Sequence, residues 1–203
     1  MILSRFFLIP LALAIYMQPE MAYGHRKTRS FKERAKPKEA VALVKEKIED
    51  TLPFFLTAPK KWQCIAEKEA LPTKVMAIYI GSGKKGFTPS INVATEETEV
   101  ALGDYINLAK RHHESQIDTT CYNLGSLETT SGNVELLQID KKTQWGEVRF
   151  LQATLIKEKT AYVLTATCLE EEYAEYYPQF LQAFQSFNIK KSHSLSQGDE
   201  GKN

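Results

Sequence analysis

Apolar and polar residues alternate along much of the second half of the chain, which predicts a run of β-strands. Four segments with this two-residue period cover 122–128, 134–140, 146–157 and 160–168. The last two are long and are separated only by Glu158 and Lys159, which predicts an antiparallel hairpin. Both faces of the segment 160–168 carry apolar side chains, so we expect this strand to lie centrally in a sheet that is covered on both sides.

Two other segments carry apolar residues at helical spacing. The first covers 98–115, where Thr98 is the expected N-cap and one face collects Leu102, Tyr105, Ile106, Ala109 and His113. The second covers 170–187 and repeats its aromatic residues at steps of three and four: Tyr173, Tyr176, Tyr177, Phe180, Phe184 and Phe187. Because proline is tolerated in the first helical turn, Pro178 predicts that the regular part of this second helix begins near that residue.

The first half of the chain predicts shorter elements. A short amphipathic helix is expected over 39–52, followed by strands over 62–67, 74–80 and 90–95. The glycine-rich stretch 81–86 lacks the spacing of a phosphate-binding P-loop and leads into a strand, so it is interpreted as a flexible hairpin loop. The predicted fold class is α+β, an antiparallel sheet with helices packed on its faces.

The N-terminus has the layout of a secretory signal peptide over residues 1–24. Arg5 precedes an apolar run over 6–17, and the small residues Ala22 and Gly24 suit a cleavage site. The alternative, a membrane anchor, needs about 20 apolar residues, whereas this run is shorter and contains Pro10. The sequence therefore predicts an exported protein that does not span the membrane when mature.

Charge is nearly balanced overall but is uneven along the chain. The formal net charge is +1, which predicts no nucleic-acid binding. Residues 25–38 form a basic arm with seven basic residues against Glu33 alone; it includes Arg26, Lys27, Arg29, Lys32 and Arg34. Two interpretations stay open for this arm, a solvated spacer or an electrostatic contact with an anionic surface or partner. The polar tail 190–203 is expected to be disordered.

Several stretches of the chain resemble the Mog1/PsbP-like family and its bacterial periplasmic DcrB-type members. They are Ser-Ile-Asn-Val over 90–93, Leu102 and Tyr105, the hairpin strands 150–153 and 161–165, and the closing segment 180–187. The resemblance implies an α/β/α sandwich over 61–189. The predicted N-terminal helix with its linker, over 39–60, and the basic arm lie outside the resemblance. The resemblance also implies a bacterial protein of the periplasm, or a secreted one, that assists or binds other macromolecules.

Candidate chemistry is sparse in this sequence. His112 and His113 are adjacent and diverge on a helix, so they are a poor metal pair, and His113 is expected at the edge of the core with His112 exposed. The three cysteines Cys64, Cys121 and Cys168 leave a disulfide or buried thiols equally open. No cofactor and no metal is predicted.

The leading hypothesis is a non-enzymatic envelope protein that acts as a protein-binding or assembly accessory factor. Its expected contact residues are aromatic: Trp145, Tyr173, Tyr176 and Tyr177. Two alternatives stay open at this point. One is a small hydrolase that uses a cysteine and a histidine, and the other is a carrier for an apolar small molecule held between the sheet and the closing helix.

Overall fold

The computed structural model describes residues 51–83 and 86–190. Its strands are β1 (Phe54–Phe55), β2 (Gln63–Ile65), β3 (Val75–Ile80), β4 (Ser90–Glu97), β5 (Thr119–Thr129), β6 (Gly132–Thr143), β7 (Gly146–Lys157), β8 (Thr160–Leu169) and β9 (Asn188–Ile189). The α-helices of this part of the chain are α1 (Leu102–Glu114) and α2 (Tyr173–Gln185), and short 3-10 helices lie at Lys68–Ala70 and Glu170–Glu172.

Seven strands form one antiparallel sheet in the order β2-β3-β4-β8-β7-β6-β5. Strand β8 is fourth in this order, which confirms the prediction of a central strand. It is joined to β7 by Glu158 and Lys159, whose φ angles of 51° and 62° suit the type I′ turn of a tight hairpin. Strands β1 and β9 pair separately in a two-stranded sheet.

The two helices lie on opposite faces of the large sheet. Along β8, Leu164 packs in one cluster with Phe180 of α2, whereas its neighbour Val163 packs with Tyr105 of α1. Successive side chains of a strand point to opposite faces, so the two helices cover different sides. We call these sides the α1 face and the α2 face. The predicted α/β/α arrangement is confirmed.

Aromatic rings fill the layer between α2 and the sheet. The side chains of Phe180, Phe184 and Phe187 are fully buried. The ring of Tyr176 stacks on Phe180 with centroids 5.8 Å apart, and Trp62 meets these two rings edge-on at 6.2 and 6.3 Å. Burial of such rings is the largest source of hydrophobic free energy in a small domain, so this layer is the main core.

Thr98 does not cap α1, contrary to the sequence prediction. The helix begins at Leu102, and Ala101 occupies the N-cap position without a side-chain cap. The backbone N–H of Thr98 donates to the carbonyl of Lys159 at 2.8 Å, which ties Thr98 to the β7–β8 turn ahead of the helix. The predicted buried face of α1 is confirmed, with Tyr105, Ile106, Ala109 and His113 all buried.

The start of α2 also differs from the prediction. The helix begins at Tyr173, so Pro178 lies inside it. A proline there removes one backbone hydrogen bond. The apolar stripe of Tyr176, Phe180 and Phe184 nevertheless buries along one continuous face, and this burial outweighs the missing bond.

Several predictions fall outside the described residues. They are the signal peptide over 1–24, the basic arm over 25–38, the tail beyond Lys190, and the helix over 39–52 except for its last two residues. The middle of the predicted hairpin loop, 84–85, is also outside. Within the described ranges, no helix combines the length and the apolar character that a membrane crossing requires.

Candidate functional site

A paired arginine lies on the α2 face near the start of α2. Strands β6, β7 and β8 place Asp140, Arg149 and Cys168 side by side in one cross-strand row. The guanidinium of Arg149 donates two hydrogen bonds to the Asp140 carboxylate, Nε to Oδ1 at 2.7 Å and a terminal nitrogen to Oδ2 at 2.9 Å. This two-point geometry fixes the plane and position of the guanidinium.

The 3-10 helix Glu170–Glu172 and the first residue of α2 contact the same guanidinium. The Tyr173 ring lies over Arg149, with the ring centroid 4.8 Å from Cζ, and Glu170 approaches a terminal nitrogen at 3.4 Å. Tyr177 lies one turn further along, its ring 5.2 Å from that of Tyr173. Asp140, Arg149, Glu170, Tyr173 and Tyr177 together are called the Arg149 patch.

Arg149 is charged and the Tyr173 hydroxyl is neutral at neutral pH. The hydrogen bonds to Asp140 raise the pKa of Arg149 above its already high ordinary value. Burial raises the pKa of the Tyr173 hydroxyl, and the neighbouring Tyr177 adds to the shift. The arginine side chain is 20% exposed and that of Glu170 is 44% exposed, so the patch presents a cation and a carboxylate at its rim.

The predicted aromatic contact residues do not form a single surface. Tyr176 is only 7% exposed and packs on Trp62 and Phe180, so it belongs to the core and is wrong as a contact residue. Tyr173 and Tyr177 are half-buried on the α2 face. Trp145 is half-buried as well, but it packs on Phe87 with centroids 6.1 Å apart, in the cluster that includes Ile106 of α1. The structure therefore keeps Trp145 apart from the tyrosines.

Sequence reasoning missed the contacts that join Asp140, Arg149 and Glu170. The signal for the first two was present, because the turn that pairs Thr143 with Gly146 also sets Asp140 opposite Arg149. Extending the register of that hairpin by three steps would have found the ion pair. No comparable local pattern points to Glu170, which reaches Arg149 through the fold.

The buried thiols of Cys121 and Cys168 are held in states that do not favour nucleophilic chemistry. None of the three cysteines forms a disulfide; burial raises the pKa of Cys121 to about 11 and that of Cys168 to about 12. A reactive thiol needs a lowered pKa, so both shifts run in the wrong direction.

The two histidines of α1 differ in burial. His113 is buried, as predicted. His112 was expected to be exposed but is half-buried, and its ring nitrogen Nε2 lies 3.2 Å from the side-chain amide nitrogen of Gln116. Among residues 51–83 and 86–190, no cluster of three potential metal ligands occurs.

A second polar site lies beneath α1, where a core would ordinarily be apolar. Gln152 of β7 and Thr165 of β8 are buried as neighbours, and their side chains form a hydrogen bond of 3.4 Å. His113 of α1, Thr154 and Thr167 are also buried, and each has a side-chain atom without a protein partner: Nδ1 of the histidine and both hydroxyls. We call these five residues the polar layer. Buried groups of this kind ordinarily bind ordered water.

Burial lowers the pKa of His113 to about 4, and the nearby His112 and Lys141 lower it further, against an opposing hydrogen bond from Gln152. The imidazole is therefore neutral at physiological pH. A neutral imidazole that is buried in this way acts as a structural hydrogen-bonding group. The polar layer is accordingly part of the packing of α1.

Comparisons with known proteins support the fold class. The chain is similar to LpqN of Mycobacterium tuberculosis, described as involved in cell envelope biogenesis, with a TM-score of 0.51 and 12% identity over 68% of this chain and 83% of that one. It is also similar to the cyanobacterial PsbP of Synechocystis, with a TM-score of 0.48 and 12% identity over 68% and 86% of the two chains. The Ran-binding protein Mog1p of Saccharomyces cerevisiae matches with a TM-score of 0.45 and 14% identity, over 68% and 90%.

No protein-family model and no curated protein matched the chain. At 12% identity the likeness to LpqN shows a shared fold, which agrees with the α+β sandwich expected from the family resemblance. The finer assignment to the DcrB type stays a prediction.

Proposed function

We propose that the chain is an exported, non-enzymatic accessory protein of the bacterial envelope that binds a protein partner through the Arg149 patch. One observation carries the proposal. The Arg149 guanidinium is held by Asp140, Glu170 and Tyr173 while it stays partly exposed beside Tyr177. Arginine and tyrosine are the residues most enriched at the centre of protein interfaces, and a prearranged side chain loses little entropy on binding.

The chemistry of the remaining groups supports binding over catalysis. The pKa values of the Cys121 and Cys168 thiols are raised, and His113 is closed off in the polar layer. A cysteine–histidine hydrolase would need the opposite arrangement. A carrier for an apolar molecule would need space under α2, where the rings of Tyr176, Phe180 and Trp62 already pack against one another.

Export rests on the N-terminal sequence. The apolar run over 6–17 and the small residues at 22 and 24 are typical of a cleaved leader. We expect the mature chain recovered from the periplasm or medium to begin near His25. N-terminal sequencing measures this directly, and an intact N-terminus on protein from the cell interior would contradict it.

The partner surface is tested by cross-linking from a photoreactive amino acid placed at position 177 in living cells. We expect one defined envelope protein to be captured there, whereas the same probe at the exposed Asp104, on the opposite face, captures none of it. Tyr177→Ala should abolish co-purification of that protein. Because Tyr177 is half-buried, the substitution should lower the free energy of unfolding by no more than about 1.5 kcal/mol.

Tyr176→Ala is the matched control, because the neighbouring ring lies in the core. It should destabilise the fold by about 3–5 kcal/mol. If Tyr177→Ala retains the partner, or if both positions capture the same protein equally, the Arg149 patch is not the binding surface.

A further inference from the structure

Exposed hydrophobic side chains concentrate at one edge of the large sheet. Among the described residues, the large hydrophobic side chains that stand well out of the surface are Phe55, Ile117, Tyr122 and Leu124, which are 52%, 86%, 49% and 42% exposed. Three of these lie within eight positions of one another, on β5 or immediately before it. Exposed apolar side chains that lie so close together in the sequence make this edge a candidate interaction surface.

Within residues 51–83 and 86–190, strand β5 is the last strand of the sheet and lacks most of the usual protection of an edge. It is eleven residues long, pairs there with β6 alone and contains neither lysine nor proline. Natural edge strands are commonly short or carry such residues, because their unpaired backbone groups template another strand. A bulge interrupts this edge, where the Asn123 side chain accepts a hydrogen bond from the Gly125 N–H at 2.7 Å. The bulge leaves the half Thr119–Asn123 in regular register with β6.

We infer that this edge, residues 118–128, binds an extended segment of a partner protein as an additional strand. The inference rests on the proposed role of the chain as a protein-binding factor, but it concerns a surface defined by other residues than the Arg149 patch. Main-chain hydrogen bonds to β5 would supply affinity, and apolar side chains of the partner would cover Tyr122 and Ile117.

The charges at the edge define the chemistry of that segment. Residues 119–127 are uncharged, and Asp118 and Glu128 stand at the two ends. Neither carboxylate forms an ion pair with any residue of the described chain. The complementary segment therefore has an apolar, uncharged middle and a lysine or arginine at each end.

The same charges disfavour a second copy of this chain as the occupant. Two copies of β5 paired about a twofold axis would run antiparallel, so the Asp118 end of one strand would meet the Glu128 end of the other. Each end of the pair would bring two carboxylates together, which is unfavourable. A basic-ended foreign segment avoids this repulsion.

Two synthetic peptides test the inference against the purified full chain. The probe has valines alternating with threonines between two terminal lysines, and its matched control replaces both lysines by glutamates. We expect the lysine peptide to shift the backbone amide resonances of Thr119–Asn123 and to bind at least about tenfold more tightly at low salt, with the difference shrinking at high salt.

A variant separates this surface from the Arg149 patch. Tyr122→Lys adds a charge to the exposed edge and should weaken the lysine peptide by at least about tenfold, whereas Tyr177→Ala should leave its affinity unchanged. Three results would contradict the inference: equal affinity of the two peptides, amide resonance shifts confined to other strands, or no binding by either peptide.

If the chain forms a dimer that Tyr122→Lys dissociates, the edge binds a second copy of the chain instead. If the peptide results contradict binding at the β5 edge while the probe at position 177 still captures the envelope protein, this inference is wrong and the proposed function stands.

Discussion

The two faces of the large sheet are built from different side chains at the same depth of burial. On β8, Leu164 and Ala166 face α2, whereas Thr165 and Thr167 face α1, and all four are 5% exposed or less. The α2 face is a dry layer of aromatic rings, and the α1 face retains the polar layer around His113. Burial therefore has opposite energetic consequences on the two sides of the sheet. It releases hydrophobic free energy under α2, and under α1 it creates a need for hydrogen-bond partners.

Removing a ring from the α2 face should have the largest effect on stability. Phe180→Ala deletes a fully buried ring that contacts Trp62 and Tyr176, so we expect a loss of about 3–5 kcal/mol in the free energy of unfolding. Urea denaturation measures it. Gln182→Ala on the exposed side of the same helix is the control and should change stability by less than about 0.5 kcal/mol. Similar losses for the two variants would mean that α2 does not anchor on the sheet through its aromatic stripe.

Lowering the pH should reduce the free energy of unfolding through the protonation of His113 on the α1 face. Its pKa is about 4 in the folded chain and 6.5 when unperturbed, so the unfolded chain binds the proton more readily between these values. The contribution of the neutral imidazole is therefore complete above about pH 6.5 and is lost as the pH falls to about 4. The loss is on the order of 2–3 kcal/mol. Unfolding curves measured across this range should show it as a declining free energy.

His113→Gln should flatten the part of the pH profile that this imidazole causes. His112→Gln, one residue earlier on α1 and half-buried, should keep most of the decline. If the wild-type chain and His113→Gln lose stability in parallel between pH 6.5 and 4, the histidine is not the titrating group. The acid loss would then belong to carboxylates.

Replacing a hydroxyl of the polar layer should have the smallest effect and should reveal whether ordered water is bound there. Thr167→Val keeps the shape of a fully buried side chain and removes its hydroxyl, so we expect a loss of about 1 kcal/mol if the hydroxyl bonds to ordered water. Thr120→Val on the exposed edge of β5 is the control, with a change near zero. A gain in stability for Thr167→Val would show that the hydroxyl is unsatisfied and that the layer is dry.

Much of the fold could be predicted from periodicity, because pattern and secondary structure are locally linked. The β7–β8 hairpin, its central place in the sheet and the buried face of α1 were predicted correctly. The helix starts were not, because Thr98 is tied to Lys159 across the fold and Pro178 is accommodated by the packing of α2. The two-residue strands β1 and β9 were also missed, since Phe54 and Ile189 pair across the length of the domain.

The glycine-rich loop after β3 shows the same limit. The sequence interpretation was conformational freedom, but a Cβ atom on Gly81 would come within 2.7 Å of the Trp62 ring. Glycine is required at this position because an aromatic side chain packs directly on the backbone. This contact joins residues 19 positions apart, so no local sequence pattern predicts it.

The sequence by itself determined which segments become strands and helices and which of their faces are apolar, because these properties depend on neighbours a few residues away. Only the tertiary structure decided which tyrosine is core and which is surface. Tyr176 and Tyr177 are adjacent on α2 and point about 100° apart, and Trp62 from a distant segment closes over the first and leaves the second half-buried. The Arg149 patch was likewise decided by the fold, since it joins residues from β6, β7 and the start of α2 through contacts that form when the chain packs.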